Sequence, residues 1–361
     1  VDRYFIMNIK LEVLNISTIE KIDSQKMFKI YDDWPKIAEK SFNLDIKSED
    51  FKNINHIVFA GMGGSGTIGD IFESILSKKK IHVNVVKGYV LPETVDCNTL
   101  VVTISVSGNS AETLAVLKSS KELGSKNIAF CSGGKMEKYC IQNKINYKII
   151  PKIHSPRATL PSYLYTILKV LHKTLKIEED GIHESIKEIK KLNKKINSSN
   201  LKNGNPSLDL ANWIKKIPVI YYPLGLRSVA IRFKNSLQEN SKMHVLTENV
   251  IESSHNGIVS WEKKSDVIPI LIRGYDDQET TKQRWVILKE YLEYKKIEYQ
   301  EIISKEGNIL TKIICMIYLL DYSSIFLAVN LGMDPTPVDA IDFVKNKLNE
   351  NNTDKQLNNE C

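Results

Sequence analysis

Twice in its first third the chain passes from a short apolar run into a glycine- and serine-rich loop, and from there into helical spacing. Residues 57–60 (Ile-Val-Phe-Ala) lead into Gly61-Met62-Gly63-Gly64-Ser65-Gly66-Thr67. Residues 100–104 (Leu-Val-Val-Thr-Ile) lead into Ser105-Val106-Ser107-Gly108-Asn109-Ser110. Short continuous apolar runs suit strands buried on both faces of a parallel sheet, and parallel strands need crossover helices. The pattern therefore holds the chain to an α/β fold. Each loop would bring backbone N–H groups, hydroxyls and the positive end of a helix dipole to the carboxyl edge of the sheet, the physical recipe for gripping a phosphate. Gly64 lets the backbone approach closely, and Ser65, Ser105, Ser107 and Ser110 supply hydroxyls. The first loop also fits G-x-G-x-x-G. However, the next strand, 83–86, is followed by Lys87-Gly88 rather than by the acidic residue that would hold a ribose, which argues against a dinucleotide.

The same alternation continues. Strands are predicted at 127–131 and 147–150, with helices over 66–77, 111–123 and 161–175. After a Lys/Asn/Ser/Gly-rich stretch a second series begins: strands at 218–222, 267–272 and near 298–302, helices at 227–239, 280–294, 308–331 and 337–348. At 361 residues with 42% hydrophobic content the chain can build two ordinary domains. The expected organisation is an N-terminal helical segment (1–48, with helical spacing over 19–42), a first domain (49–190), a linker (191–207), a second domain (208–348) and a flexible Asn-rich tail (349–361).

The formal charge of +7 is spread over Lys/Glu-rich helices rather than gathered in a stripe, so no nucleic-acid partner is expected. The five cysteines are odd in number and show no C-x-x-C spacing, which predicts reduced thiols in a cytoplasm and no metal site. No apolar run reaches about 18 residues, and no signal-peptide pattern opens the chain, so no membrane partner is expected. His56, His82, His154, His172, His183 and His244 lack ligand spacing and read as structural. The four tryptophans read as packing residues.

With those loops in place, further segments carry a resemblance. The loops themselves, Gly61–Gly66 and Ser105–Thr113, are similar to those of the sugar isomerase (SIS) domain family. Ser155-Pro156-Arg157-Ala158, Leu237-Gln238-Glu239-Asn240, Ser254-His255-Asn256-Gly257-Ile258-Val259-Ser260-Trp261 and Asp334-Pro335-Thr336-Pro337-Val338 resemble, in consistent order over about residues 50–348, the bifunctional phosphoglucose/phosphomannose isomerases. The resemblance implies two flavodoxin-like αβα sandwich domains with parallel sheets and a homodimer. It implies metal- and cofactor-free aldose–ketose isomerisation of glucose 6-phosphate and mannose 6-phosphate with fructose 6-phosphate.

Such a reaction opens a sugar ring and moves a proton between C1 and C2 through an enediol. A carboxylate, a cation and a ring-opening His or Lys suffice. By spacing alone Glu239 is a solvated carboxylate at a helix end, off the apolar stripe of Val229, Phe233 and Leu237. The resemblance makes it the proton-transfer base. His255, in a polar loop, corresponds to the ring-opening histidine, and Arg157 to the cation that stabilises the enediolate. Lys345 corresponds to a lysine assisting ring opening, with Lys347 the alternative register. Thr336 corresponds to a small residue lining the sugar pocket, leaving room for either C2 epimer. The sequence departs from the family pattern Asn-His-Asn-Glu at Ser254 and at Gly257, and the missing carboxylate at 257 alters the surroundings of the imidazole. Two other uses of SIS domains compete. A non-catalytic sugar-phosphate sensor is usually joined to a helix-turn-helix, and a glucosamine 6-phosphate synthase carries a glutaminase domain. Neither module is visible.

Overall fold

The computed structural model describes residues 14–358. Three short helices come first: α1 (Ile16–Ile22), α2 (Met27–Asp32) and α3 (Trp34–Phe42). The apolar spacing over 19–42 is thus split into pieces. Asp23 ends α1 and its carboxylate accepts from the N–H of Phe28, while Lys26 adopts a left-handed conformation (φ 54°). Residues 1–13 of the expected N-terminal segment lie outside the described residues.

The first α/β unit contains β1 (His56–Ala60), α4 (Gly64–Leu76), β2 (His82–Val86), β3 (Thr99–Ser105), α5 (Ala111–Glu122), β4 (Lys126–Cys131), α6 (Gly134–Asn143) and β5 (Asn146–Ile149). Its five strands are all parallel, in the order β2-β1-β3-β4-β5. That is the flavodoxin-like order, in which the chain reverses direction across the sheet between β1 and β3 and leaves a crevice at their carboxyl ends. β1 and β3 are buried along their whole length, as central strands covered on both faces must be.

Two helices, α7 (Leu160–Leu175) and α8 (Glu179–Ile196), lead to α9 (Pro206–Trp213). The expected linker is therefore shortened to residues 197–205. Its lysines 191, 194 and 195 belong to α8, whose Ile182, Ile186, Ile189 and Ile196 are buried at helical spacing while the lysines face out. The second unit holds β6 (Ile217–Tyr222), α10 (Arg227–Ser241), β7 (Leu246–Asn249), α11 (Val250–Ser253), β8 (Val267–Arg273), α12 (Glu279–Tyr294) and β9 (Gln300–Ile303). Its sheet has four parallel strands, ordered β7-β6-β8-β9. β7 was not foreseen: it is a four-residue edge strand reading Leu-Thr-Glu-Asn, with no apolar run to reveal it.

The chain closes with α13 (Ile309–Asn330) and α14 (Asp339–Asn358). α14 runs past Leu348 into the expected tail, of which residues 359–361 lie outside the described residues. α13 is long and apolar enough to cross a membrane, yet 89% of its apolar window is buried inside the protein. It packs on α10, α8 and α9 and fuses the two halves into one continuous core. That core includes Trp34 and Tyr31 from the N-terminal helices, Phe59 and Ile104 from the first sheet, and Ile220 and Ile270 from the second.

One polar pair lies inside this core. Arg232 of α10 and Asp321 of α13 are 1% and 0% exposed, and they meet at 2.6 Å. Arg232 also donates to the carbonyl of Arg157, while Asp321 accepts from Ser236 Oγ and from the Tyr31 hydroxyl. Asp321→Ala would leave the guanidinium buried without its counter-ion. Urea unfolding is expected to report a loss of roughly 3–5 kcal/mol, as for other broken buried pairs.

Candidate active site

The two small-residue loops meet at the carboxyl edge of the first sheet. Ser65 Oγ accepts from the N–H of Val106 at 3.4 Å, so the first loop touches the second. Ser105 Oγ accepts from the N–H of Gly108 and lies 3.2 Å from Ser110 Oγ, and Ser107 Oγ accepts from the N–H of Asn109. Neither α4 nor α5 has a side-chain cap at its N-terminus. Both dipoles are thus available to an anion, although in α4 the N–H groups of Ser65 and Gly66 already donate to the Met62 carbonyl. Gly108 (φ 66°) approaches the Gly133 carbonyl so closely that a Cβ there would overlap it. The turn after β4 therefore buttresses the second loop from behind. Lys87, at the carboxyl end of β2, adds a cation that sequence reasoning passed over. It pairs with Asp70 of α4 at 2.5 Å, and a Cβ on Gly66 would lie 3.2 Å from its Cε. The usable signal was its place directly after a strand neighbouring the loop.

The first loop also abuts the segment that follows β5. A Cβ on Gly64 would lie 3.3 Å from the Pro156 carbonyl, which brings the loop against Arg157. Arg157 is 2% exposed and donates four hydrogen bonds. Nε reaches Asn240 Oδ1 at 2.7 Å, Nη1 reaches Glu239 Oε2 at 3.2 Å, and Nη2 reaches the carbonyls of Pro335 and Thr336 at 2.6 and 2.8 Å. A guanidinium has five donors, so one N–H on Nη1 is left over. Its backbone is held on two sides, by Arg232 at the Arg157 carbonyl and by Trp34 Nε1 at the Ala158 carbonyl. Asn240 is fixed in turn by donating to Ser324 Oγ.

Three sequence-predicted residues thus converge: Arg157, Glu239 and Thr336, beside Gly64. Thr336 Oγ1 is buried and has no hydrogen-bond partner. Lys242, unforeseen, ends α10 in a left-handed conformation (φ 56°) and donates to the carbonyls of Glu239 at 2.6 Å and Pro337 at 2.7 Å. It thereby clamps the 334–337 turn over the end of α10. Burial and the nearby Arg157 charge push its ammonium below the ordinary lysine range.

The other two do not join them within one chain. α10 must run from the carboxyl edge of the second sheet back to its amino edge, because β6 and β7 are parallel. Glu239 therefore lies at the amino edge, whereas His255 follows the carboxyl end of β7 through α11. α10, fifteen residues and about 22 Å long, spans the sheet between those two edges. His255 is exposed in a turn where its N–H donates to the Glu252 carbonyl. Lys345 stands in solvent on α14, 66% exposed, beside Asp342 at 3.7 Å.

Gly257 has a structural partner. A Cβ at 257 would overlap Oε2 of Glu248, whose carboxyl group lies against the glycine. That oxygen is buried and without a hydrogen-bond partner, and desolvation raises the carboxyl above its ordinary range. A carboxylate is thus present beside the His255 loop, supplied by the edge strand.

Two parallel sheets joined through helices, with twin anion loops and an Arg–carboxylate pair, define a protein of the SIS-domain class. Residues 50–165 match the SIS domain family, and residues 203–348 match the family described as bacterial phospho-glucose isomerase C-terminal SIS domain. The chain is 33% identical over 321 residues to the bifunctional phosphoglucose/phosphomannose isomerase of Caldicellulosiruptor bescii, covering 86% of this chain and 94% of that one. It is 32% identical over 324 residues to the protein of the same name from Aquifex aeolicus, covering 87% and 97%. It therefore belongs to the bifunctional phosphoglucose/phosphomannose isomerase family. Among solved structures, the C-terminal domain of glucosamine-fructose-6-phosphate aminotransferase from Francisella tularensis shares the fold. The TM-score is 0.66 at 16% identity, over 85% of this chain and 96% of that one.

Gly257→Glu is expected to lower the unfolding temperature, because two carboxyl groups would compete for one space. Glu248→Ala in the same chain should relieve it. Thermal unfolding of the two single variants and the double variant should give a coupling of roughly 0.5–3 kcal/mol. Strict additivity would show that the two positions do not meet.

Proposed function

We propose that the protein interconverts glucose 6-phosphate and mannose 6-phosphate with fructose 6-phosphate. The observation that carries this is the Arg157 Nη1–Glu239 Oε2 contact at 3.2 Å, set beside the Gly64 loop and the unpartnered Thr336 hydroxyl. The phosphate binds at the N-termini of α4 and α5, held by the hydroxyls of Ser65, Ser105, Ser107 and Ser110. The reacting end of the sugar then extends toward Arg157. Glu239 takes the proton from C2 of the opened aldose, leaving an enediolate with its charge on O1; O1 gains a proton as O2 gives one up, and Glu239 returns the carbon-bound proton to C1 to give the ketose. The remaining N–H of Arg157 Nη1 donates to the oxygen on which negative charge grows. Because Glu239 is oriented by that same guanidinium, base and electrophile hold one geometry. Thr336 faces C2, where a small side chain leaves either epimer room.

His255 and Lys345 complete the site from a second copy of the chain. Both stand on exposed segments, and α10 spans the sheet between the edges where His255 and Glu239 lie. α14 leaves Phe343 and Val344 64% and 55% exposed, and Val259 beside the histidine turn is 57% exposed, so apolar surface is ready for a partner subunit. The homodimer works in a reducing cytoplasm, in keeping with the four unpaired cysteines among the described residues.

In an assay coupling fructose 6-phosphate formation to a reporter enzyme, Glu239→Gln should lower kcat by about 10²–10⁴-fold with both aldose phosphates. Near-wild-type turnover would remove Glu239 as the base. Mixing denatured Glu239→Gln and His255→Ala chains and refolding them together should restore about a quarter of wild-type activity. Half the dimers would then be mixed, and each would own one intact site. Without recovery, the histidine acts within its own chain.

A further inference from the structure

A cavity that shares no lining residue with this site lies at the amino edge of the second sheet. Its volume is about 680 Å³, within the range of small-molecule pockets. Three Lys-Lys pairs line it, one in each of the loops that precede β6, β8 and β9: Lys215-Lys216, Lys263-Lys264 and Lys295-Lys296. The parallel register sets β6 beside β8 and β8 beside β9, which gathers the three loops at one edge. All six lysines are exposed, and none forms an ion pair among the described residues, although their chain neighbours Glu262 and Glu298 also line the cavity. Counting those two carboxylates as −2 against +6 leaves four uncompensated positive charges. Like charges gathered at one edge repel, and among the described residues only Lys295 has a compensating contact, over the rings of Tyr291 and Tyr294.

The wall between the lysines is apolar, with Val267, Ile268 and Ile297 beside two tryptophans, of which Trp261 is largely buried in the core. Trp213, half-buried at the end of α9, and Trp261, whose Nε1 donates to the Tyr221 hydroxyl at 2.8 Å, both border the space. Arg157, Glu239, Thr336 and the two anion loops contribute nothing to it.

We propose that this cavity binds a nucleoside di- or triphosphate, its phosphates among the lysine pairs and its base against an indole. Charge selects a polyanion, the tryptophan-bordered wall selects a group that can stack, and a half-open cavity of this volume suits a small molecule better than a polymer.

The test is isothermal titration calorimetry of the full chain with ATP, with inorganic triphosphate and with a single-stranded RNA, at two salt concentrations. ATP is expected to bind in a salt-sensitive manner and more tightly than triphosphate or RNA. Saturating glucose 6-phosphate should not displace it. Neutralising two pairs (Lys215→Gln, Lys216→Gln, Lys263→Gln, Lys264→Gln) should weaken ATP by roughly tenfold or more. Lys295→Gln with Lys296→Gln supplies an independent variant should the first fold poorly. Isomerase activity measured without nucleotide should be unchanged in both. The proposal is overturned if ATP does not bind, if neither variant weakens it, if glucose 6-phosphate displaces it, or if triphosphate or RNA binds as well as ATP.

Discussion

The buried pair of Arg232 and Asp321 is the point on which the site turns. A charge pair in a dry core gains little net stability, because desolvation offsets most of the attraction. What it provides here is position. Arg232 can satisfy its donors only when α10, α13 and the Arg157 carbonyl stand in one arrangement, and Asp321 completes its shell from Ser236 and Tyr31. The Arg157 guanidinium is thus set by a second arginine, Arg232, that holds its backbone carbonyl. Arg157 then sets Glu239 and the 334–337 turn, so four separate stretches of sequence are placed by one chain of hydrogen bonds.

The parallel sheets were legible because central strands announce themselves. β1, β3, β6 and β8 are apolar runs, and each was placed within a residue or two of its observed ends. β7 was not legible, because an edge strand of Leu-Thr-Glu-Asn has neither run nor alternation. α8 was obscured for a different reason: its exposed face is so rich in lysine that the composition resembled a linker, while the four isoleucines on the other face carried the true period.

The site divides in the same way. The anion loops could be read locally, since a strand, a small-residue turn and a helix are contiguous in sequence. Arg157 and Glu239 could not, because their meeting depends on contacts 82 residues apart and on a buried pair that no local pattern reveals. Family motifs supplied their roles, and geometry shows why those motifs lie where they do. The same topology separates His255 from Glu239, since a helix between two parallel strands must traverse the sheet. The glycine at 257 also becomes intelligible only in three dimensions, where the carboxyl group of Glu248 occupies its side-chain space.

The continuous core has a consequence for how the protein comes into being. α13 lies near the end of the chain, yet its tyrosines 318 and 322 close over the N-terminal helices, donating to the carbonyls of Tyr31 and Phe28. A chain emerging from the ribosome can assemble its first sheet early. α3 can pack on α7 early, but the apolar faces of α2 and α8 that meet α13 must wait until residue 330 has been made. The two halves resemble separate domains in plan, but neither core is finished without the other, and the helices ahead of the first sheet depend on α13 to bury them.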